Sequence, residues 1–331
     1  NVDRAKIQST ISSLRDQIGA VVETAQFNGL NLLTNRDSTE GSGSEQVLGF
    51  LQRDSRGVRG VDISIGKQDL STASREIAAS GGSYSGSEVS ATLTLTRSAT
   101  LDASGITVTT GMAFSLSLYG TDGDGSTFVQ ADLRTTSGAT QSRAEMVSAP
   151  ISYVARDGDG IGDVLSQLSQ RYASYAARTG IDSSVLQVQA SGSALAISSE
   201  VTTASDTIAV KIDTLSADAG NTIGGGLELL GELDVTTADG ANDALATIEG
   251  LLDISTDAAA AFGSDQRRLE TQSRFNDSLT DAMTSGIGVL VDADLEESSA
   301  RLQALQVQQQ LAIQAMSIAN GAPGVLLSLF R

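Results

Sequence analysis

The two ends of the chain repeat apolar residues every three or four positions, and the long middle does not. At the N-terminal end the spacing alternates between four and three as far as residue 25. This repeat places the apolar side chains along one face of a helix, as in the seam of a coiled coil. The sequence therefore predicts an N-terminal helix whose packing residues are Ile7, Ile11, Leu14, Ile18 and Val21, followed by Phe27.

A second pattern of the same kind occupies the C-terminal third. Its predicted packing residues are Leu245, Ile248, Leu252, Phe262 and Leu269. The pattern is imperfect, because Ser255 and Gln266 occupy seam positions. Gly250 and Gly263 would each weaken the helix by about 1 kcal/mol relative to alanine. We therefore expect this helix to depend on partner helices.

The last predicted helix, about 295–319, is apolar on more than one face. Its apolar residues are Leu302, Leu305, Leu311, Ile313, Met316 and Ile318. A short helix that is apolar on several sides has to be buried against more than one neighbour. Pro323 and Gly324 are expected to break it before Leu327 and Phe330.

The middle of the chain consists of short runs in which polar and apolar residues alternate. Such runs predict half-buried antiparallel strands, and they lie at 91–95, 106–110, 114–119, 186–188, 194–197 and 208–212. One helical stretch interrupts them at 161–175 and is expected to end at Gly180. The N-terminal helix is expected to end in the same way at Asn28-Gly29.

These patterns predict an α+β fold. A long coiled-coil-like helical core is formed by both chain ends, and a β-rich outer domain that contains one helix is inserted between them. The expected parts are the N-terminal part of the helical core at 1–33, core-associated loops and a hairpin at 34–70, the variable outer domain at 71–222, a return strand and C-terminal core helix at 223–290, and a terminal-domain helix at 291–331.

The composition argues against most enzymatic and nucleic-acid-binding functions. Histidine and cysteine are both absent, which removes the usual general base, the usual zinc ligands, any catalytic triad that uses histidine, and any disulfide. The net charge of −19 repels phosphate backbones and anionic lipids, so we expect neither nucleic acid nor membrane as a partner. Neither a cofactor nor a cleavable leader is expected.

Three short motifs superficially resemble ligand sites. Residues 157–163 place carboxylates at positions one, three and seven of a calcium-type loop, but position five is Ile161, which cannot coordinate a cation. Plain turns are the favoured interpretation there and at 122–125, where Asp-Gly pairs recur. Residues 60–67 lack the spacing and the hydroxyl of a phosphate loop, so a glycine-containing strand and turn is favoured.

Two stretches resemble the bacterial flagellin family. TAQFNG at 24–29, followed by Leu32-Leu33, resembles the motif that closes the N-terminal core helices of flagellins. LQALQVQQQL at 302–311 and the ending LSLFR at 327–331 resemble the flagellin C-terminus. The resemblance covers 1–33 and about 239–331. Flagellins carry a further N-terminal segment ahead of the position that is Asn1 here, and it pairs with the final helix.

The resemblance implies a structural subunit that assembles into the extracellular flagellar filament for motility. The apolar residues at 302–318, with Leu327 and Phe330, would then form the polymerisation interface. The implied partners are other flagellin subunits, an export chaperone that binds the C-terminal helix, and the filament cap and hook-associated proteins. Export by the flagellar type III apparatus without a cleaved signal peptide is implied as well.

Other functions remain open at this point. A hook–filament junction protein shares the helical core but differs at the extreme C-terminus, and the Gln-rich ending here favours a filament subunit. The β-rich middle could instead serve as a filament-borne adhesin or glycan-binding module, since a few aromatic residues are available for sugar stacking. A metalloprotease of the type carried by some flagellins needs two histidines, and this chain has none. A glycosidase with paired carboxylates stays formally possible, but no pair is singled out.

Overall fold

The computed structural model describes residues 2–27, 29–78, 81–95, 97–200, 203–217 and 220–328. Its helices are α1 Val2–Thr24, α2 Arg143–Val147, α3 Ile161–Thr179 and α4 Ala238–Ser328. Its strands are β1 Gln26–Phe27, β2 Leu30–Asn31, β3 Ser44–Asp54, β4 Gly57–Gly66, β5 Tyr84–Leu93, β6 Ser98–Asp102, β7 Ala113–Thr121, β8 Ser152–Val154, β9 Gln187–Ser191, β10 Ala194–Ser198 and β11 Thr207–Leu215. All strand pairs with a described register are antiparallel. The α+β class predicted from the sequence is confirmed.

The chain forms two compact units. The first unit comprises Asn1–Leu48 and Asp62–Asp265, and the second comprises Gly49–Val61 and Gln266–Arg331. The first unit therefore holds α1, most of the strands, α2, α3 and the start of α4. The second unit holds the end of the β3–β4 hairpin and the rest of α4. The five-part division expected from the sequence is finer than this and stays a prediction.

The core of the first unit lies between two small sheets and α3. One sheet has the strand order β5-β11-β7-β8 and the other has the order β6-β10-β9. Phe114, Leu116 and Leu118 of β7 are fully buried, and the intervening Ser115 and Ser117 are buried as well. The period-two alternation predicts the strand, but both of its faces are covered and it is not half-buried. Helix α3 packs against both sheets through residues at helical spacing such as Leu165, Leu168 and Tyr172.

Helix α3 agrees with its sequence prediction, and it ends where expected. Gly180 follows the helix in the left-handed conformation, with φ 71°, and its N–H bonds back to the carbonyls of Ala176 and Ala177. The strands predicted at 114–119, 194–197 and 208–212 lie within β7, β10 and β11. The strand predicted at 106–110 is wrong. Hydrogen bonds from Ile106 N–H to Ala103 O, 3.0 Å, and from Met112 N–H to Thr109 O, 3.0 Å, close local turns there instead.

Helix α1 ends earlier than its glycine signal indicates. It stops at Thr24, whose hydroxyl donates to the carbonyl of Ala20 over 2.7 Å. Strands β1 and β2 then form a minimal hairpin, and Gly29 has φ 80° in its turn. Gly29 therefore has the left-handed conformation that the sequence predicts, but it lies in the hairpin turn and does not end the helix. Asn28 lies outside the described residues.

Helix α4 is continuous over 91 residues, from Ala238 to Ser328. The break expected at Pro323-Gly324 is wrong, because the helix continues for several residues beyond it. A proline removes one backbone donor, and the hydrogen bonds on either side can persist. The return strand expected after residue 222 is not a strand either, since a short 3-10 helix, Glu228–Gly231, occupies this segment.

Three consecutive glycines, 224–226, allow the chain to approach the segment around Ser71. A Cβ atom on Gly225 would lie 1.9 Å from the carbonyl oxygen of Ser71. The N–H of Gly225 also donates to the carbonyl of Ala73 over 2.7 Å. Only glycine fits between two backbones at this distance. This contact ties the segment before α4 to the segment after β4.

We expect Gly225→Ala to destabilise the first unit by about 2–3 kcal/mol, because the backbones must separate to admit a methyl group. Urea unfolding followed by tyrosine fluorescence measures this unit, since all five tyrosines lie within it. Gly86→Ala is the matched control, because a Cβ at Gly86 meets no atom within 4 Å. Equal unfolding midpoints for the two variants would contradict the close-packing argument.

Candidate assembly surface

The apolar seam predicted on α1 is largely uncovered by the chain itself. The exposed fractions are 53% for Ile7, 52% for Leu14, 37% for Ile18 and 64% for Val21. Ile11 is partly buried and packs against a small cluster of Leu233, Val235 and Ala244. The side chain of Phe27 is outside the described part of the structure.

The rest of the first unit covers a different face of α1, formed by residues that each follow a seam residue by one position. Gln8, Arg15 and Gly19 are partly covered, and Val22 is buried. Because a helix turns by about 100° per residue, this face is rotated by that angle from the apolar seam. The contacts on it are largely polar and attach α1 through hydrogen bonds rather than through its seam.

The Gln8 side chain is the main polar attachment of α1. Its Nε2 donates to the carbonyl of Leu233 over 2.8 Å, and its Oε1 accepts from the N–H of Val235 over 2.9 Å. Arg4 donates to the carbonyl of Thr237 one turn earlier. Neither residue can be recognised from the sequence, because a glutamine or arginine on a polar helix face carries no periodic signal.

The first turns of α4 likewise have a covered face beside an exposed apolar seam. Ala244, Leu251 and Ala258 are buried at a spacing of seven residues, and Thr247 donates to Ser174 of α3 over 3.3 Å. The predicted seam lies one position away from this face. The exposed fractions there are 62% for Leu245, 36% for Ile248 and 60% for Leu252.

Both helices thus leave most of their apolar seams open, while the adjacent face is covered, with Val22 buried on α1 and Leu251 on α4. Phe262 and Leu269, further along the predicted seam of α4, are partly buried. Exposed leucine and isoleucine side chains along a heptad seam form a surface that another helix can cover. The role of these residues in packing core helices together remains a prediction.

The part of α4 in the second unit exposes apolar side chains on several faces. The exposed fractions are Leu302 59%, Leu305 62%, Leu311 58%, Ile313 59%, Met316 72% and Ile318 75%. Large exposed apolar side chains that cluster in one segment are typical of an interaction site, so this part of α4 is a candidate assembly surface. The side chain of Leu327 and the whole of Phe330 lie outside the described residues.

A buried ionic cluster joins separate segments of the first unit. The Glu228 carboxylate accepts from Arg75 Nη1 over 2.7 Å and from Arg171 Nη2. Arg171 is 3% exposed, and its Nε and Nη1 have no hydrogen-bond partner among the described residues. Its guanidinium carbon lies 5.6 Å from the ring centre of Tyr153. Burial lowers the pKa of Arg171 to about 10.

A second ion pair extends the cluster. Arg156 Nε donates to Asp69 over 3.2 Å, and its Nη2 donates to the carbonyl of Gly224 over 2.9 Å. Burial acts to lower the pKa of Arg156, but neighbouring Tyr153 and Asp69 raise it, so the charge persists. The cluster joins α3, the segment after β4 and the segment before α4. Nothing in the sequence indicated it, because its members are far apart in the chain.

The carboxylates of the acidic motif at 157–163 accept hydrogen bonds that hold the surrounding loops in place. Asp157 accepts from the N–H groups of Gly41 and Gly43 over 3.0 and 2.8 Å, and Asp163 accepts from the first residue before α3. Asp159 accepts instead from the hydroxyl of Tyr153 over 2.6 Å. These three side chains bind separate partners, as turn chemistry predicts.

The loop after β7 brings carboxylates closer together. Those of Asp122, Asp124 and Asp206 have oxygens within 4.8 Å of one another. Asp122 accepts from four backbone N–H groups at 125–128, and the bond from Phe128 contributes most to its lowered pKa. The motif at 60–67 does not form a phosphate loop. Its residues 60–66 belong to strand β4, and no helix follows them directly.

Known proteins with similar sequences indicate the function of these surfaces. The family model for the bacterial flagellin C-terminal helical region matches residues 245–330. Flagellin B of Rhizobium meliloti is 34% identical over 342 residues, which cover 100% of this chain and 74% of the relative. The chain is a flagellin. Flagellin A of the same organism is 33% identical over 337 residues, again with 74% of the relative covered.

This flagellin is therefore a structural, non-enzymatic subunit of the extracellular flagellar filament, as its motifs predicted. Flagellin FljO of Caulobacter vibrioides is 44% identical over 107 residues, 32% of this chain and 39% of that relative. The matches give no support to a hook–filament junction protein or to an adhesin. Among the described residues, no helix combines the length and the apolar character that a bilayer span requires.

Proposed function

We propose that this flagellin polymerises by burying the C-terminal part of α4 against neighbouring copies. The observation that carries the proposal is the exposure of seven large apolar side chains from Leu302 to Ile318, Val307 included, each more than half exposed. Fully burying such a side chain contributes roughly 1.5–3 kcal/mol. Because these residues lie on several faces, each helix needs more than one neighbour. A polymer supplies such neighbours.

The uncovered seams of α1 and early α4 support a second part of the proposal. The two seams, which include Leu14 and Leu252, belong to a coiled-coil-like core completed by further helical segments of the family's N-terminal region or of adjacent copies. Heptad spacing matches what such packing requires. The β-rich part of the first unit would then be an inserted outer domain that α1 and α4 carry on the filament.

The other partners follow from flagellin biology rather than from a particular contact. The exposed apolar residues of α4 would need a cover before assembly, which an export chaperone would supply by binding the C-terminal helix. The filament cap and hook-associated proteins would contact the same polymer at its two ends. Export would use the flagellar type III apparatus without a cleaved signal peptide.

Electron microscopy of the complete gene product after assembly in vitro tests the proposal, and we expect filaments. Hydrogen exchange then locates the interface. Amides at 302–318 should exchange rapidly in the monomer and become protected in the filament, because an unpacked helix opens easily. Amides of β7 serve as the control, since Phe114 and Leu116 are buried in the monomer. Filaments in which 302–318 stay as unprotected as in the monomer would contradict the proposed interface.

A further inference from the structure

The end of the β3–β4 hairpin concentrates positive charge on a chain whose net charge is −19. Arg53, Arg56 and Arg59 lie within seven residues and are all exposed, and we call them the basic tip. Arg59 pairs with Asp54. Arg53 and Arg56 have no ion-pair partner among the described residues. Two solvated cations are therefore available to a partner.

Apolar side chains flank the basic tip on both strands. Leu51 is 65% exposed, Val58 is 58% exposed and Phe50 is 37% exposed. A two-stranded hairpin buries little of its own apolar surface and is marginal without a cover. A hydrogen bond from Asn276 Nδ2 to the carbonyl of Gly49, 2.8 Å, ties the hairpin to α4 within the second unit. Arginines beside exposed apolar groups are typical of protein interfaces.

Helix α4 carries the complementary surface in the same unit. Residues 275–300 contain six acidic residues and no lysine or arginine. Four of these acids, Asp292, Asp294, Glu296 and Glu297, form what we call the acidic stretch. Only Glu297 among them has an ion pair in the described structure, an exposed one with Arg301 at 3.5 Å.

Exposed apolar side chains also flank the acidic stretch. The exposed fractions are Val289 67%, Leu290 71% and Leu295 60%. Asp292 and Glu296 are four residues apart, so they share one face of the helix. The stretch therefore matches the basic tip both in charge and in its apolar surroundings.

We propose that the basic tip of one copy binds the acidic stretch of a second copy in the filament. Opposite charges orient the two surfaces, and the apolar side chains around them exclude water. The tip and the stretch are different surfaces, so the contact is head-to-tail and can propagate without closing. The inference rests on the proposed function, and it adds a second interface to the one formed by 302–318.

Charge reversal tests the contact in the complete chain. Arg53→Glu/Arg56→Glu places acids on the tip, and Asp292→Arg/Glu296→Arg places cations on α4. Each double variant alone is expected to raise the critical concentration for assembly about tenfold or more, because like charges then meet. The control for the tip variant is Arg97→Glu/Lys211→Glu, which lowers the net charge by the same amount in the first unit and should assemble as the wild type does.

Mixing the two variants distinguishes a contact between copies from a contact within one chain. An equimolar mixture should assemble near the wild-type critical concentration, because alternating copies pair an acidic tip with a basic helix and a basic tip with an acidic helix. Salt near 1 M, where the Debye length is about 3 Å, should shrink the defect of each variant assembled alone.

The outcomes separate this contact from the proposed function. If the wild type forms filaments but both reversal variants assemble like the control, the contact is wrong and the proposed function stands. If the mixture fails while a chain with all four substitutions assembles, the two surfaces meet within one chain and the proposal is overturned. A wild-type gene product that forms no filaments would contradict the proposed function itself, and this contact with it.

Discussion

Leu302→Asp/Leu305→Asp is expected to abolish filament assembly and to leave the first unit folded. The two residues lie three positions apart, on one face of α4, and are 59% and 62% exposed in the single chain. If neighbours bury them in the filament, their loss removes roughly 3–6 kcal/mol per subunit and adds two charges to an apolar interface. The critical concentration should rise by a factor of about 10²–10⁴. Sedimentation of polymer at increasing protein concentration measures it.

The chain offers a closely matched control for this experiment. Leu95 and Val129 are 58% and 65% exposed, so they resemble the two α4 leucines in the monomer. Leu95→Asp/Val129→Asp should therefore assemble normally. Tyrosine fluorescence should give the same urea midpoint for all of these proteins. An assembly defect of equal size in both double variants would show that exposed leucines in general, and not α4, explain the loss.

Glu228→Gln is expected to destabilise the first unit by about 3–5 kcal/mol. The substitution keeps the size of the side chain and removes its charge from between Arg75 and Arg171. Arg171 is 3% exposed, so water cannot replace the lost partner. At neutral pH the tyrosine-monitored urea midpoint should fall sharply, and the unit should unfold at a lower temperature.

The exposed pair between Arg178 and Glu232 provides the control for this prediction. Its nitrogen and oxygen lie 2.9 Å apart, and the two side chains are 39% and 37% exposed. Glu232→Gln removes the same charge at the surface and should cost less than about 1 kcal/mol. If the two substitutions cost the same, the ion cluster does not contribute to stability in the way that its burial indicates.

The two predictions concern different levels of organisation. Glu228 acts inside one chain, where its carboxylate joins α3 to the segment after β4. Leu302 and Leu305 are proposed to act between chains, and we expect their substitution to leave the fold of the first unit unchanged. Under the proposed function a subunit needs both properties, because the first unit has to fold alone while the C-terminal part of α4 remains available to other copies.

Local periodicity in the sequence was sufficient to predict several helices and strands. The spacing of Val164, Leu165, Leu168 and Tyr172 predicts α3, and Gly180 ends it as expected. The alternation in β7 and β11 predicts both strands, although both faces of β7 are buried. These patterns succeed because the residues that define them are neighbours in sequence and share one environment. The motifs at the two chain ends likewise identified the family.

The covered faces of α1 and α4 could not be predicted in this way. Periodicity identified apolar seams through Leu14 and Leu252, but it cannot say whether a partner for a seam is present in the same chain. In the structure the neighbouring segments cover the adjacent faces, through Gln8 and Ala244. Which face is buried depends on what lies beside the helix, and that is a property of the tertiary structure.

The amino-acid sequence by itself determined the α+β class, the family, the helical ends and the main strands of the middle, because each of these leaves a local pattern or a continuous motif. Only the tertiary structure revealed the ion cluster around Glu228, the unbroken course of α4, and the open seams. The ion cluster depends on contacts between residues such as Asp69 and Arg156, which lie far apart in the chain. A local pattern cannot encode which distant charge will neutralise a buried arginine, since that follows from how the segments pack.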